Sequence, residues 1–223
     1  MKKDRFATAY AKNISSLQQI VSAKGIDTSS YEIHLRAYKQ EAILEIWIKG
    51  KQKDKWERLR TYPFCTNSGT SGPKRREGDL QIPEGFYHID RFNPKSKFHL
   101  SLGLNYPAAS DKIRSDASRP GSDIFIHGGC QSVGCIAITD KHIEWLYVLA
   151  TEAKNQGQKR IGVRIFPCSM DKNTLNKLTQ QFPQHQSFWE ELKSEDLYFK
   201  KHNSLLGFRV GLNGELILED GGR

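Results

Sequence analysis

A histidine and a cysteine stand eight positions apart, at 127 and 135, in the glycine-rich stretch IFIHGGCQSVGCIAITD that covers 124–140. His127 ends a short apolar run, and Cys135 begins the next one. The thiolate form of cysteine is a strong nucleophile. A neighbouring imidazole lowers the thiol pKa by pairing with it as an imidazolium, and then passes the proton to a leaving amine. The pattern therefore indicates covalent acyl-transfer chemistry at Cys135, with His127 as its base.

Glycines at 128, 129 and 134 surround this pair. Without side chains, the backbone near Gly134 can approach a substrate carbonyl and point N–H groups at a developing oxyanion, each worth roughly 3 to 4 kcal/mol in known enzymes. The same residue types have a structural interpretation, in which His127 is a hydrogen-bonded histidine at a strand end and Cys135 a small buried hydrophobic residue. The spacing alone leaves both interpretations open.

Hydrophobic periodicity predicts the elements that position this loop. Residues 124–126 have the length and β-branching of a buried strand that delivers His127. Asp140 is predicted to cap a helix that ends at Gly157. An N-terminal amphipathic helix ending near Gly25 follows from apolar residues at three- and four-residue steps: Phe6, Tyr10, Ile14, Leu17 and Val21.

Alternating apolar residues predict many short strands. The first three are expected to form an antiparallel meander, and more follow on both sides of the 124–140 stretch: 31–37, 44–48, 62–64, 86–90, 98–102 and 161–165. Residues 68–78 are predicted to be a surface loop, and 111–123 to be turn-like. Towards the C-terminus, three signals predict two helices and a hairpin: an Asp171 cap, a capping box from Ser187 to Glu190, and a turn at Asn213–Gly214. This order of elements predicts an α+β fold with a mainly antiparallel sheet.

Composition limits the class of protein. With 223 residues, of which 37% are hydrophobic, the chain can bury a core as one compact domain, either alone or with appended elements. No glycine-rich nucleotide-binding pattern is present, so no cofactor is expected. The four cysteines lack zinc-like spacing, so we expect no structural metal.

The chain carries a formal charge of +9. Its cations are scattered, and a run at Lys74, Arg75 and Arg76 lies in the predicted loop. Such residues usually form a solvated surface, and their alternative role is attraction to an anionic polymer. Nucleic acid is one such polymer, but no helix-turn-helix, zinc finger or aromatic RNA-binding strand accompanies the charges.

The segment around the pair resembles the active-site signature of the L,D-transpeptidase catalytic domain (YkuD) family, H-G followed after a spacer by S-H-G-C. Here the match is His127-Gly128, then Ser132-Val133-Gly134-Cys135. The resemblance implies that Cys135 is the nucleophile, that His127 is its base oriented by the Gly128 carbonyl, and that Ser132 and Gly134 shape the turn and the oxyanion site. The spacer is shorter than is usual, Val133 replaces a histidine, and Ala137 stands where the family often has arginine.

In these departures the chain resembles the YafK-type subgroup of the family, which has a compact loop followed by Thr-Asp, here Thr139-Asp140. Other segments resemble it as well: SGTSGPK, EGDLQIPEGFYHI, FNPKSKFHLSLGLNYP and FWEELKSEDLYF. The resemblance implies a sandwich- or barrel-like catalytic fold with helices at both ends. It also implies an exported, periplasmic enzyme that forms a thioester with peptidoglycan stem peptides at meso-diaminopimelate, for transfer or for hydrolysis that releases a lipoprotein or a cross-link.

By family position, Tyr87, Asn105 and Tyr106 are candidate substrate-binding groups. We expect three segments: an N-terminal helix in 1–27, a catalytic domain in 28–168 and a C-terminal extension in 169–223. The N-terminus has charges and amides in place of the apolar core of a signal peptide. This leaves two interpretations, a cytoplasmic protein or an exported one whose signal was removed before Met1. The resemblance to exported enzymes favours the second.

Further hypotheses concern single residues and the whole activity. His88 and His99 are expected to be structural or surface histidines. Cys65, Cys130 and Cys168 are expected to be small core residues; an exported protein could instead pair Cys65 with Cys168, and a bond between Cys130 and Cys135 would switch the enzyme off. The alternative to an enzyme is a catalytically inactive wall-binding domain of the same fold.

Overall fold

The computed structural model describes residues 4–219; Met1 and the outer ends of the predicted first and third segments lie outside that range. It contains five α-helices: α1 (Arg5–Ala23), α2 (Ala109–Arg114), α3 (Thr139–Asn155), α4 (Lys172–Gln181) and α5 (Gln186–His202). The strands are β1 (Tyr31–Tyr38), β2 (Ile43–Gly50), β3 (Glu57–Pro63), β4 (Gly85–Asn93), β5 (Ser101–Leu104), β6 (Phe125–His127), β7 (Ile136–Ala137), β8 (Gly162–Phe166), β9 (Gly207–Val210) and β10 (Leu216–Glu219). None of the helices in 4–219 is both long enough and apolar enough to cross a membrane.

Eight of these strands form one curled sheet in the order β3-β2-β1-β8-β4-β5-β6-β7. Only the β1–β8 and β6–β7 pairs are parallel. The curl brings the last strand back towards the first, because Thr66, just after β3, bridges to Ala137 of β7, and the Cys65 N–H donates to the Ala137 carbonyl at 2.8 Å. The predicted α+β class with a mainly antiparallel, barrel-like sheet and helices at both ends is confirmed.

The hydrophobic core divides between the two faces of the sheet. Helices α1 and α3 pack together in the larger cluster, where the rings of Phe6 and Tyr147 lie 5.5 Å apart. Helices α4 and α5 pack in a second cluster around the buried Trp189 and Phe166. Each helix buries its apolar stripe against the alternating apolar residues of the strands. Helix α3 therefore packs beneath the candidate loop, which begins at the end of β6.

Several predicted boundaries agree with the structure. Helix α1 covers the predicted stripe, and Asp171 caps α4 by accepting the N–H groups of Asn173 and Thr174 at 3.1 and 3.0 Å. The first three strands form the predicted meander. The β9–β10 hairpin turns at Asn213–Gly214, with Gly214 at a φ of 85°.

Three boundary predictions were wrong. Helix α3 begins at Thr139, so Asp140 lies inside its first turn and its carboxylate binds another backbone group, described below. Helix α5 begins at Gln186, so Ser187 is helical and caps nothing. The polar stretch 111–123 includes the end of α2, because Asp111 accepts the Ala108 N–H at 3.0 Å and fixes the start of a short helix. The division into 1–27, 28–168 and 169–223 stays a prediction.

Candidate active site

His127 ends β6, and Cys135 immediately precedes the neighbouring parallel strand β7. Strands β6 and β7 pair Ile126 with Ile136 and His127 with Ala137. The N–H of Phe125, also in β6, points at the Cys135 sulfur at 3.4 Å. The pairing therefore sets His127 and Cys135 on adjacent chain segments, two register positions apart.

The His127 imidazole is buried and held on one side by the backbone. Its Nδ1 lies 2.6 Å from the Gly128 carbonyl oxygen, and the Phe98 ring packs against it with centroids 4.7 Å apart. Because a carbonyl only accepts, Nδ1 carries the proton and Nε2 of the neutral ring is the acceptor. Burial lowers the pKa of His127, and the bond to Gly128 opposes this only in part. The expected orientation by Gly128 is thus the arrangement present in the structure.

The Cys135 thiol is also held as a neutral group. Burial raises its pKa above the ordinary 9.0; the Asp123 charge adds to this rise, while the Phe125 N–H and the charge of Lys74 oppose it. The thiol in turn donates to the Asp123 carbonyl at 3.7 Å. Burial thus favours the uncharged form of both groups in the free protein. The imidazolium–thiolate pair stays a prediction.

Ser132 closes the turn that presents the nucleophile. Its Oγ accepts the N–H groups of Gly134 and Cys135 at 3.3 and 2.9 Å and donates to the Cys135 carbonyl at 2.7 Å. Gly134 has a φ of 124°, and a Cβ there would lie 3.0 Å from the Gln81 carbonyl oxygen. The turn-shaping role of Ser132 and Gly134 is visible in these contacts. Their role in an oxyanion site stays a prediction, because both N–H groups point at Ser132 here.

Several non-glycine residues around the loop have left-handed backbone. Leu80, His99, Asp123 and Thr139 have φ values of 61°, 68°, 56° and 68°. Each such residue costs on the order of 1–3 kcal/mol and persists only where its surroundings fix it. Asp123 supplies the carbonyl that contacts Cys135, and Thr139 turns the chain from β7 into α3. The strain therefore collects at the loops that frame the pair.

A disulfide between Cys65 and Cys130 ties the loop to the segment after β3. The candidate pairing of Cys65 with Cys168 is wrong, because Cys168 is free and buried. Cys135 is also free, so the inactivating bond to Cys130 is not the one formed. The disulfide fixes the loop between His127 and Cys135 at its middle.

One residue of the basic run at 74–76 is not solvated as predicted. Lys74 is buried, with its Nζ 2.7 Å from Asp79 Oδ1, whereas the two arginines that follow it are accessible to solvent. Arg75 packs on the Phe188 ring at 5.0 Å, and Arg76 is exposed. Burial of Lys74 brings a cation close enough to act on the Cys135 thiol.

The candidate substrate-binding residues use their polar groups inside the protein. The Tyr87 hydroxyl donates to the Glu84 carbonyl at 2.9 Å, Asn105 Oδ1 accepts the His88 N–H at 2.8 Å, and the Tyr106 hydroxyl donates to the Pro120 carbonyl at 2.9 Å. These contacts are structural, and a role in binding substrate stays a prediction.

A cavity of about 440 Å³ has Tyr87, His88 and Asn105 in its wall, together with residues of β1, β8 and the C-terminal hairpin. Neither His127 nor Cys135 lines it. We place the candidate site at the pair, since its residues carry nucleophilic chemistry. The cavity, by contrast, lies against the hairpin.

His99 makes structural contacts, with Nε2 2.9 Å from Glu144 Oε1.

Sequence reasoning missed two side chains that touch the loop. Asp140, interpreted as a helix cap, accepts the Gly129 N–H at 2.8 Å. Phe98 covers the His127 ring and is exposed on its other side. The Thr-Asp pair was a usable signal for the first, and nothing in local periodicity pointed to the second. Val133, which replaces the family's histidine, is 76% exposed and makes no packing contact that the pair depends on.

Comparison with known proteins gives consistent relatives. The L,D-transpeptidase catalytic domain model, YkuD, matches residues 32–175. "Putative L,D-transpeptidase YafK" of Escherichia coli K12 is 30% identical over 171 residues, which are 76% of this chain and 67% of that protein. Among solved structures, the helical cell shape determining protein Pgp2 from Campylobacter jejuni aligns over 86% of this chain and 80% of its own, at 18% identity and a TM-score of 0.47. Bd1075 of Bdellovibrio bacteriovorus aligns over 78% and 62%, at 18% identity and a TM-score of 0.43.

Proposed function

The chain belongs to the L,D-transpeptidase catalytic domain (YkuD) family, and from that premise we propose that it is an exported cysteine enzyme acting on peptidoglycan stem peptides. The observation that carries the proposal is that the β6–β7 pairing sets His127 and Cys135 on adjacent chain segments, with His127 Nδ1 bound to a carbonyl. That bond reserves Nε2 for the proton of the thiol.

The reaction begins from a neutral thiol and a neutral imidazole. Cys135 Sγ attacks the carbonyl carbon of meso-diaminopimelate while its proton moves to His127 Nε2, giving a tetrahedral oxyanion and an imidazolium. The imidazolium then protonates the leaving amine, the C–N bond breaks, and a thioester remains on Cys135. General base catalysis of this kind contributes about 10²–10⁴-fold to the rate.

The thioester is resolved by a second nucleophile. Water or an acceptor amine attacks the thioester carbonyl while His127 takes its proton. The C–S bond then breaks, and the Cys135 thiolate leaves and takes that proton from the imidazolium. Water gives hydrolysis and release of a cross-link or a peptidoglycan-linked lipoprotein, whereas an amine gives transpeptidation. Both outcomes use the same two residues, so the pair supports the family chemistry without selecting the acceptor.

Charge supports the encounter with this substrate. The formal charge of +9 favours an anionic polymer, and the free carboxylates of stem peptides supply one. The alternative, an inactive wall-binding domain, has no need of a buried histidine with one defined tautomer beside a free cysteine. The specific contacts at His127 and Cys135 therefore favour the enzyme.

Product analysis tests the proposal. Purified muropeptides, and muropeptides linked to a lipoprotein fragment, are incubated with the wild-type chain and with Cys135→Ala, and the products are read by liquid chromatography and mass spectrometry. We expect cleavage or exchange at diaminopimelate with the wild type alone. Unchanged substrate with the wild type, together with retained wall binding, would instead support the binding domain.

A further inference from the structure

A single peptide unit lies between the His127 imidazole and a carboxylate. The carbonyl of Gly128 accepts from His127 Nδ1 at 2.6 Å, and the N–H on the other side of the same peptide bond, that of Gly129, donates to Asp140 Oδ1 at 2.8 Å. The C=O and N–H of a peptide unit are rigidly coplanar and electronically coupled by resonance. A negative charge at the N–H end therefore polarises the carbonyl, and chains of hydrogen bonds strengthen one another in this way.

We propose that Asp140 is a positioning residue of the Cys135–His127 pair, acting on the imidazole through the Gly128–Gly129 peptide unit. The inference rests on the proposed function, because it assigns Asp140 a role in that reaction. The arrangement follows the logic of a nucleophile, a base and an orienting carboxylate, with a peptide bond inserted between base and carboxylate. Asp140 neither contacts the substrate nor receives the proton.

Several features of the fold hold Gly128, Gly129 and Asp140 in this arrangement. Helix α3 begins directly after β7, and its first turn carries Asp140 back to the loop that follows β6. Gly128 leaves no room for a side chain, since a Cβ there would lie 2.5 Å from Asp140 Oδ1 and 3.0 Å from the Phe98 carbonyl oxygen. The Gly128 N–H is fixed separately by the Leu100 carbonyl at 3.2 Å. The Gly128–Gly129 peptide unit is thus held at its C=O and at its N–H, and the preceding peptide unit is held by Leu100.

Asp140 has charged and titratable neighbours on several elements. A carboxylate in the first turn of a helix interacts favourably with the helix dipole. His99 Nδ1 lies 3.9 Å from Asp140 Oδ2, and the other nitrogen of that ring is 2.9 Å from Glu144 Oε1. Glu144 is in turn paired with Lys12 of α1 at 2.8 Å. These three groups are the titratable and charged neighbours that face Asp140 from the adjoining elements.

In the proposed reaction Asp140 has two effects on His127. It fixes the carbonyl that holds the proton on Nδ1, which keeps Nε2 free to accept the thiol proton. It also stabilises the imidazolium formed during attack, because the polarised carbonyl is a stronger acceptor for the charged ring. A purely structural role for Asp140 would change protein stability without changing the titration of His127.

Two substitutions separate these effects. Asp140→Ala removes both the acceptor and the charge, and we expect kcat/KM with muropeptide substrate to fall about tenfold. Asp140→Asn keeps an oxygen for the Gly129 N–H, and we expect it to recover most of that loss. Glu190→Ala is the matched control: it removes a helical carboxylate of similar exposure, 52% against 57%, and should leave kcat/KM unchanged.

The decisive readout is nitrogen-15 NMR of His127 in the free protein, which requires no substrate. We expect Nδ1-protonated imidazole in the wild type, a lower His127 pKa in Asp140→Asn because a nearby negative charge is lost, and shifted ring nitrogens in Asp140→Ala. Should Asp140→Ala fail to fold, the Asp140→Asn titration carries the test alone. An unchanged His127 pKa in Asp140→Asn overturns the inference.

Failure of the inference and failure of the proposed function give different results. A wild-type chain without turnover whose His127 pKa still responds to Asp140→Asn refutes the enzyme and retains the coupling. A wild-type chain with turnover whose kcat/KM and His127 signals are unchanged in both Asp140 variants retains the enzyme and refutes the coupling.

Discussion

Burial acts in opposite senses on the two residues of the candidate pair. It lowers the pKa of His127 and raises that of Cys135, so both groups are neutral at pH 7. A neutral histidine is the competent form of a general base, and the thiol is deprotonated only as it attacks. This differs from a preformed ion pair, in which the thiolate exists before substrate arrives.

The alkylation of Cys135 by iodoacetamide distinguishes these two states. Because the thiol pKa is raised, we expect the alkylation rate to increase with pH through a midpoint above 9.0, with slow labelling at pH 6. Cys168 is the internal control, since burial raises its pKa to about 12 and labelling there should be negligible in the folded protein. Rapid labelling of Cys135 at pH 6 would show an ion pair instead.

The pH dependence of turnover follows from the sign of the His127 shift. The unprotonated imidazole is the active form and its pKa is lowered, so kcat/KM should be retained as pH falls below 6.5 and be lost only through a midpoint under that value. The measurement is kcat/KM for a muropeptide from pH 4.5 to 8.5. A midpoint above 7 contradicts the neutral pair, and His127→Ala should lower the plateau by about 10²–10⁴-fold.

The sequence predicted the reactive residues more completely than their supports. The order of His127, the glycines and Cys135 indicated a candidate pair, and the family resemblance supplied the expected roles of Ser132 and of the Gly128 carbonyl. It did not predict the burial of Lys74, because a cation in a glycine-rich loop gives no sign of a partner such as Asp79 five positions later. Side-chain partners depend on the path of the loop, which local patterns leave undetermined.

Among the elements, the segment from β6 to α3 has the most unusual construction. Two parallel strands of three and two residues are joined by a loop, with His127 at the end of the first strand and Cys135 at the end of the loop. Strands this short form few hydrogen bonds, so the sheet alone fixes the loop only weakly. Additional constraints on the loop come from the Ser132 turn, the Cys65–Cys130 disulfide and the left-handed backbone of Thr139.

Removal of the disulfide should therefore affect stability and activity together. Cys65 and Cys130 are 65 positions apart, and cross-links typically contribute about 2–4 kcal/mol. We expect Cys65→Ser/Cys130→Ser to lower the free energy of unfolding by about that amount in urea and to reduce turnover by loosening the loop. Cys168→Ser, which breaks no bond, is the control. Unchanged turnover in the double variant would show that the loop needs no tether.

Helix starts give a simpler test of the local rules. Asp171 caps α4 through two backbone N–H groups, so Asp171→Ala should cost about 1 kcal/mol in urea unfolding. Ser187, once predicted to cap α5, lies inside that helix, and Ser187→Ala should have no measurable effect. Equal costs for the two would contradict the observed boundaries.

Caps and periodicity predicted α1, α4 and the terminal hairpin because their signals are local. The predicted cap of α3, Asp140, lies two residues after the observed cap position at Ile138, because the left-handed Thr139 turns the chain from β7 directly into the helix. Because the helix already begins at Thr139, the Asp140 carboxylate is available to accept a hydrogen bond from the loop. The residue preferences of helix caps do not predict this contact.

For the molecule as a whole, a buried charge network joins the C-terminal helix to the sheet. Arg36 of β1 donates to Glu195 at 3.1 Å and to Asp196 at 2.6 Å, and all three side chains have no exposed area. The Tyr38 hydroxyl also donates to Asp196, at 2.7 Å. Removal of one partner from such a network leaves an uncompensated buried charge.

We expect Arg36→Ala to lower the free energy of unfolding by about 3–5 kcal/mol in urea. The surface pair of Lys193 and Glu190 is the control, since Lys193→Ala should cost less than about 1 kcal/mol. A loss under 1 kcal/mol for Arg36→Ala would mean that α5 and the sheet are not one cooperative unit.

Strand order was beyond prediction from the sequence. The early meander β3-β2-β1 joins strands that are neighbours along the chain. Strand β8, by contrast, lies between β1 and β4 in the sheet, and it follows β1 by more than a hundred residues in the sequence. Alternation shows which residues are strands and which face is buried, and it does not show which strand lies beside which. The closure at Thr66 and Ala137, which fixes the position of β7, has the same long-range origin.

The central claim is that Cys135 carries the acyl group of a stem peptide. It is tested most directly by acid quenching of the protein during turnover of a muropeptide, followed by digestion and mass spectrometry of the fragment that contains Cys135. The account predicts an acyl adduct on that cysteine in the wild type and none in Cys135→Ala. Turnover by Cys135→Ala, or wild-type turnover with the acyl group on another residue, would contradict it.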